Sequence, residues 1–445
     1  MALPLMLSLG VACEPDPAEP SHAGAAPAAA QRPDREGNAV THWTAIASDL
    51  MVDPGPIIDS RAFAILHAAI HDAVNGVERR YRPYTADLSF PGASLEAAVA
   101  TAARDVLVAL SPTQQTKIDA EYVAALAAVP DGAAKTQGVA LGRRSANANL
   151  DRRASDGIPV GPWPPREGPI TRPAYVPTGE PGDYDFTPPF DAAPLGPIAL
   201  FPGWGRLEPF VVDPKKHRLD GPDPLGSRRY ARDLNYLKSI GRLHSSTRTA
   251  DQTEIARFWF EEFMVWNRIA NSVIQRNNLD SWRAARVMAQ VHFAMADAGI
   301  ACFEAKYRFR TWRPYTAIRR ADEDGNHETE AGANWLPLLW PAPGVIPPPF
   351  FIPPIPEYPS AAAMLSAAAA EVLIGHFGDQ VSFEATSISL PDVTRRFTGF
   401  TQAARENGMS RVYGGIHFLD AVGDGYRLGK RIGGEVSRSL PPVHR

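Results

Sequence analysis

Lys306-Tyr-Arg-Phe-Arg-Thr-Trp-Arg313-Pro314 decides the reading of this chain, together with Pro359-Ser360-Ala361-Ala362 and Ser410-Arg411-Val-Tyr-Gly-Gly-Ile-His417-Phe-Leu-Asp420. The three pieces supply one lysine, two arginines, a serine at an expected helix start and one histidine. That set suits a tetrahedral oxyanion. Fixed cations offset a multiply charged ligand, planar guanidinium forks match its oxygens, and a helix N-terminus adds backbone N–H donors. The histidine can then bond the central atom.

Working outward, residues 280–310 read as one long helix carrying Lys306. Seven residues on, Arg313 shares a face with Lys306 if the helix persists that far, although Pro314 biases Arg313 to end it. Residues 337–359 hold ten prolines and lead straight into Ser360, which is expected to cap an Ala-rich helix to about 376. A polar stretch at 379–393 suits brief strands, and the last helices are expected near 395–407 and 411–436. Arg411 and His417 then fall at the start of the final helix. Asp420, three residues on and on the same face, is the candidate partner for the second ring nitrogen of His417.

Upstream, apolar residues recur at helical spacing over 58–78, 94–109, 114–128 and 133–150. Residues 151–230 run through repeated Pro and Gly, too long for an ordinary loop, and suit a surface wrap. A helix is expected at 230–242. Thr249-Ala-Asp-Gln252 has capping-box spacing and starts another, to about 275. No internal repeat of fixed period is present. The expected fold class is all-α, with helical bundles packed into one domain over 41–445. A leader and an Ala/Pro-rich tether that cannot pack a core occupy 1–40.

Composition removes several classes. With 445 residues, a net charge of −4 and a pI near 6.3, the chain has no electrostatic footprint for nucleic acid. Two cysteines, Cys13 and Cys302, exclude a disulfide scaffold and a cysteine-based zinc site. Residues 2–13 are apolar but too short to span a bilayer. They suit the end of an export signal with Cys13 as a lipid acceptor, implying a periplasmic, secreted or lipid-anchored protein. A plain disordered leader is the alternative. No segment reads as a membrane span.

The frame K-x6-R-P, P-S-x-x, S-R-x5-H resembles the signature shared by type 2 phosphatidic acid phosphatases and vanadium-dependent haloperoxidases. The resemblance runs from about Thr41 to the C-terminus and looks closest to the bacterial haloperoxidase-like branch. Ile65-Leu-His-Ala-Ala-Ile-His-Asp-Ala-Val-Asn75, Phe201-Pro-Gly-Trp-Gly205 and Ser246–Trp259 carry it as well. It implies an all-α fold and vanadate held by Lys306, Arg313, Ser360, the backbone N–H of Ala361, Arg411 and His417, with phosphate as a competing oxyanion. His417 would be the vanadium ligand. Hydrogen peroxide and a halide or small organic molecule would be the substrates.

One departure stands out. The family's Pro-Ser-Gly-His reads Pro359-Ser360-Ala361-Ala362 here, so the family's acid/base histidine falls on Ala362, which cannot transfer a proton. Ala361 replaces a glycine, which is harmless at negative φ and strained at positive φ. Two other functions therefore compete with the haloperoxidase. One is a non-halogenating relative that binds an oxyanion without turnover or with repurposed acid/base chemistry. The other is a phosphomonoesterase with His417 as nucleophile.

His244 and His327 are candidates to replace the missing acid/base group. His67 and His71, with Asp72, have metal-pair spacing but no evident third ligand, and suit structural roles better. Asp297 is a weak candidate to pair with a site arginine, and Cys302 suits a buried thiol.

Overall fold

The computed structural model describes residues 38–50, 56–156, 173–261, 263–341 and 350–443. The expected leader with Cys13 lies outside them, as do 157–172 of the wrap and 342–349 of the proline-rich loop. Thirteen helices are present among the described residues. They are α1 (Ala39–Leu50), α2 (Pro56–Val77), α3 (Leu95–Leu110), α4 (Gln115–Ala127), α5 (Ala133–Ala154), α6 (Arg228–Ile240) and α7 (Ala250–Phe258). Then follow α8 (Phe263–Arg276), α9 (Ser281–Phe309), α10 (Pro314–Arg319), α11 (Ala361–Phe377), α12 (Phe400–Tyr413) and α13 (Leu419–Val436). One antiparallel pair, β1 (Phe383–Thr386) and β2 (Thr394–Phe397), sits between α11 and α12. The fold is all-α, as the periodicity predicts. No described helix is long and apolar enough to cross a membrane.

Local chemistry sets the helix starts. Ser94, Ser227, Asp280 and Ser360 each accept a bond from a backbone N–H of the first turn, and Thr249 with Gln252 forms both bonds of a capping box. Helix α9 is the common wall of two groups. It packs against α2, which also packs on α3 and α5, and against α11, which also packs on α12 and α13. At 29 residues it is about 44 Å long. It is buried on nearly every side, so its sequence shows weak amphipathicity.

Helices α11 and α13 approach closely because one face of α13 carries Gly425, Gly429 and Gly433 at four-residue spacing. A Cβ on Gly425 would lie 2.6 Å from the Ser360 carbonyl oxygen, and Cβ atoms on Gly429 and Gly433 would strike the carbonyls of Met364 and Ala368. This contact seats the Ser360 end of α11 beside the chain that enters α13.

Three expectations are corrected. The helix expected from Thr249 to about 275 is interrupted by a 3-10 turn at Trp259–Glu261. The strand pair extends past 393, because Thr394–Phe397 buries Phe397 opposite Phe383 and so takes the start of the helix expected at 395. The helix expected over 411–436 is two, α12 and α13. Gly415 at φ +76° breaks it, its Cα side facing the Gly241 backbone where no side chain fits.

Candidate active site

Lys306 lies in the last turn of α9, and its ammonium donates to the carbonyls of Pro356 and Glu357, both at 2.8 Å. The helix does not persist to Arg313. Arg310 ends it in the left-handed conformation at φ 56°, held there by a forked pair to Asp183 at 2.8 Å. Arg313 is instead the N-cap residue of α10, with Pro314 at the first helical position. Lys306 and Arg313 therefore converge through a turn, not along one helical face.

Arg313 is fully buried. Its Nε donates to the Ile355 carbonyl at 2.8 Å, and Nη1 to the Ile416 carbonyl at 3.0 Å. Nη2 donates to the Pro353 carbonyl at 3.1 Å. Nη1 also lies 3.1 Å from Nε2 of His417. Much of the donor capacity of Lys306 and Arg313 is thus directed at the main chain of 353–357 and 416.

His417 stands in the turn between α12 and α13, not at the start of a helix, and is buried. Its Nδ1 is 2.8 Å from Oε1 of Glu357, which also accepts the Phe418 N–H at 3.0 Å. An Nδ1–H donating to the carboxylate leaves the Nε2 lone pair as acceptor from Arg313. Burial holds the His417 pKa well below its ordinary value, and the charges of Arg313, Lys306 and Arg411 push the same way. The ring is neutral at pH 7, with a lone pair on Nε2.

Asp420 is not the partner of His417. Its Oδ2 accepts the Asp223 N–H at 3.0 Å, and its own N–H donates to Asp233. Position 420 lies in the first turn of a new helix, α13, which begins after His417, so the assumed helical register from His417 does not exist. Glu357 takes that place, and the sequence reading missed it. Its N–H donates to the Thr311 carbonyl at 2.8 Å, which sets the proline-rich return against the start of α10. Burial pushes the Glu357 carboxyl up to about 8, while Lys306 and Arg313 pull it down. An acidic residue three before Ser360 in an otherwise apolar, Pro-rich run was the available signal.

Arg411, near the end of α12, is buried and donates from Nε to Ser410 Oγ at 2.9 Å and from Nη2 to the Trp259 carbonyl. Ser360 caps α11, its Oγ 3.5 Å from the Ala363 N–H, and its own N–H donates to the Ala421 carbonyl at 3.0 Å. Ala361 opens the helix and is absent from the described residues with positive φ, so it is unstrained. Ala362 is buried, with only a methyl group where a proton carrier was sought.

The other candidates lie elsewhere. His244 and His327 are exposed and cannot serve a buried histidine. His71 faces the Arg82 carbonyl, and Asp72 accepts the N–H groups of Tyr84, Thr85 and Ala86. No group of three or more His, Cys, Asp or Glu among the described residues could hold a metal ion. Asp297 accepts the N–H groups of Phe210, Val211 and Val212 at 2.6–2.8 Å, pinning a loop to α9. Cys302 is buried, as expected.

The donor chemistry fits an oxyanion. Three cations act on one neutral histidine, and a single carboxyl group, that of Glu357, stands among them with its charged form disfavoured by burial. A net excess of buried positive charge calls for an anion.

Residues 286–442 match the family described as the VCPO second helical-bundle domain, which spans α9 to α13. Vanadium chloroperoxidase of Curvularia inaequalis is 25% identical over 394 residues, covering 74% of this chain, and the chain spans 62% of that relative's length. The structure of a bacterial vanadium-dependent iodoperoxidase superposes with a TM-score of 0.70 at 24% identity, over 92% of this chain and 96% of that one. An apo bacterial vanadium-dependent chloroperoxidase gives 0.67 at 18% identity, over 87% and 94%. The fold is that of the vanadium haloperoxidases, and the family match over 286–442 and the curated relative support that superfamily.

Proposed function

We propose that this chain binds vanadate and is a haloperoxidase-type enzyme, oxidising halide or a small organic substrate with hydrogen peroxide. The observation that carries the reading is the convergence of Lys306, Arg313 and Arg411 on His417, whose Nδ1 is bonded to Glu357. Lys306, Arg313, Arg411, Ser360 and the first N–H groups of α11 would hold the oxyanion, and His417 Nε2 would bond its central atom. When bound, vanadate supplies activation of peroxide. Glu357 on Nδ1 orients the ring and keeps the histidine in the tautomer whose lone pair is on Nε2. The cations orient and neutralise the ligand.

A non-halogenating oxyanion-binding relative is the second reading, favoured by the buried methyl group of Ala362 and by the Lys306 and Arg313 bonds to the main chain. A phosphomonoesterase using His417 lacks a leaving-group acid at the same position.

Calorimetric titration with orthovanadate, paired with peroxide-dependent bromide and iodide oxidation, tests these readings on the parent and on Ala362→His. Binding with weak activity that Ala362→His raises about 10²–10⁴-fold supports the haloperoxidase, since that is the usual contribution of a positioned proton carrier. Binding without turnover in either folded form selects the oxyanion-binding relative. Absence of vanadate binding in the parent sinks both.

A further inference from the structure

Glu357, the residue on Nδ1 of His417, also forms part of the wall of a cavity of about 240 Å³. Lys306, Arg313 and Arg411 are not in that wall. Asp233, Asp420 and Asp223 are, with the rings of Tyr230, Trp312 and Phe418 between them. Asp223 is paired at 2.7 Å with the exposed Arg229. Asp233 and Asp420 form no ion pair with a described residue. Asp233 accepts the N–H groups of Leu419 and Asp420, both at 2.9 Å, and Asp420 accepts that of Asp223. Thr311, 8% exposed in the same wall, keeps a hydroxyl with no hydrogen-bond partner among the described residues.

We propose that this cavity binds a small organic ammonium ion, with Asp233 and Asp420 supplying the countercharge and Tyr230, Trp312 and Phe418 the aromatic faces. Carboxylates that have no ion pair with a described residue, in a partly desolvated wall, attract a cation. Aromatic rings favour an alkylated ammonium over a hydrated metal ion, and the described residues contain no group of three or more His, Cys, Asp or Glu that could hold one. Burial raises both carboxyls, Asp420 to about 6, with Asp424, Asp223 and Asp233 crowding it further; a bound cation relieves that crowding. The volume is below the usual range of roughly 300–1,000 Å³ for ligand pockets, so the ligand is small. The inference goes beyond the proposed function and does not depend on it.

The test is calorimetry on the full chain at pH 8 and constant ionic strength. The probes are choline and its uncharged isostere 3,3-dimethyl-1-butanol. Choline is expected to bind at least about tenfold more tightly than the isostere, the scale of one desolvated cation–π contact. Asp420→Asn is expected to weaken choline about tenfold and leave the isostere unchanged. Equal binding of the two probes, or no choline binding up to about 10 mM, overturns the proposal. A thermal scan checks that Asp420→Asn folds; if it does not, Phe418→Leu, which removes one aromatic face, must weaken choline more than the isostere. Orthovanadate titrated separately distinguishes the two sites: choline binding without vanadate binding sustains this inference and rejects the oxyanion reading.

Discussion

Glu357 carries more of the site than any side chain outside the three motifs. Its carboxylate bonds Nδ1 of His417 and the Phe418 N–H, so it sets which ring nitrogen keeps a lone pair. Glu357→Ala is expected to weaken orthovanadate, or phosphate as its stand-in, about 10–100-fold, the usual effect of losing a partner behind a ligating histidine; calorimetry reads it. His67 presents a different case. Both ring nitrogens lack a partner among the described residues, its ring stacks on His292 at 4.6 Å, and burial lowers its pKa to about 3. The unfolded chain takes up this proton below about 6.5, the folded chain only near 3. Stability is therefore lost as pH falls through that window. His67→Phe is expected to flatten the acid limb, and to raise stability at pH 7 by about 1 kcal/mol through removal of unsatisfied polar atoms. Denaturant midpoints at pH 7 and pH 4.5 check both parts.

At the scale of elements, the site rests on two contacts. Helix α9 delivers Lys306 and stops at Arg310, and the glycine face of α13 lets α11 place Ser360 beside the His417 turn. Gly429→Ala should raise helix propensity by about 1 kcal/mol in isolation. Its Cβ would strike the Met364 carbonyl, so we expect a net destabilisation of about 1–3 kcal/mol, as for other overpacked contacts. Urea unfolding with an unchanged slope would register it. A neutral or stabilising result would show that the two helices separate without penalty. The long helix, the Ser360 cap and the capping box at Thr249 were legible because each depends on residues within one turn. The breaks at Trp259 and Gly415 were not, because packing against other elements imposes them.

For the whole molecule, the site draws on the ends of α9, α10, α11, α12 and α13 and on the return at 353–357. A ligand joining these elements stabilises the folded state as a unit. Orthovanadate at about 100 times its dissociation constant is expected to add about 2.7 kcal/mol by mass action. Phosphate should reproduce part of the effect by occupying the same donors. Thermal unfolding against ligand concentration measures this, and Arg313→Ala is expected to abolish the ligand-dependent part. A ligand-dependent shift that persists in Arg313→Ala would place the anion elsewhere.

The sequence by itself determined the all-α class and most helix spans, and its motif spacing named Lys306, Arg313, Ser360, Arg411 and His417 as candidates and Ala362 as a departure from the resembled motif. Helical periodicity, caps and motif spacing are local properties, and a chain read alone contains them. Only the tertiary structure decided that Lys306 and Arg313 meet through a turn, that Glu357 and not Asp420 backs His417, and that His244 and His327 lie outside the site. It also brought Asp233 and Asp420, 187 positions apart, into one wall. These depend on which chain ends and loops come together when α9, α11 and α13 pack, and helical spacing within one segment carries no information about contacts made across others.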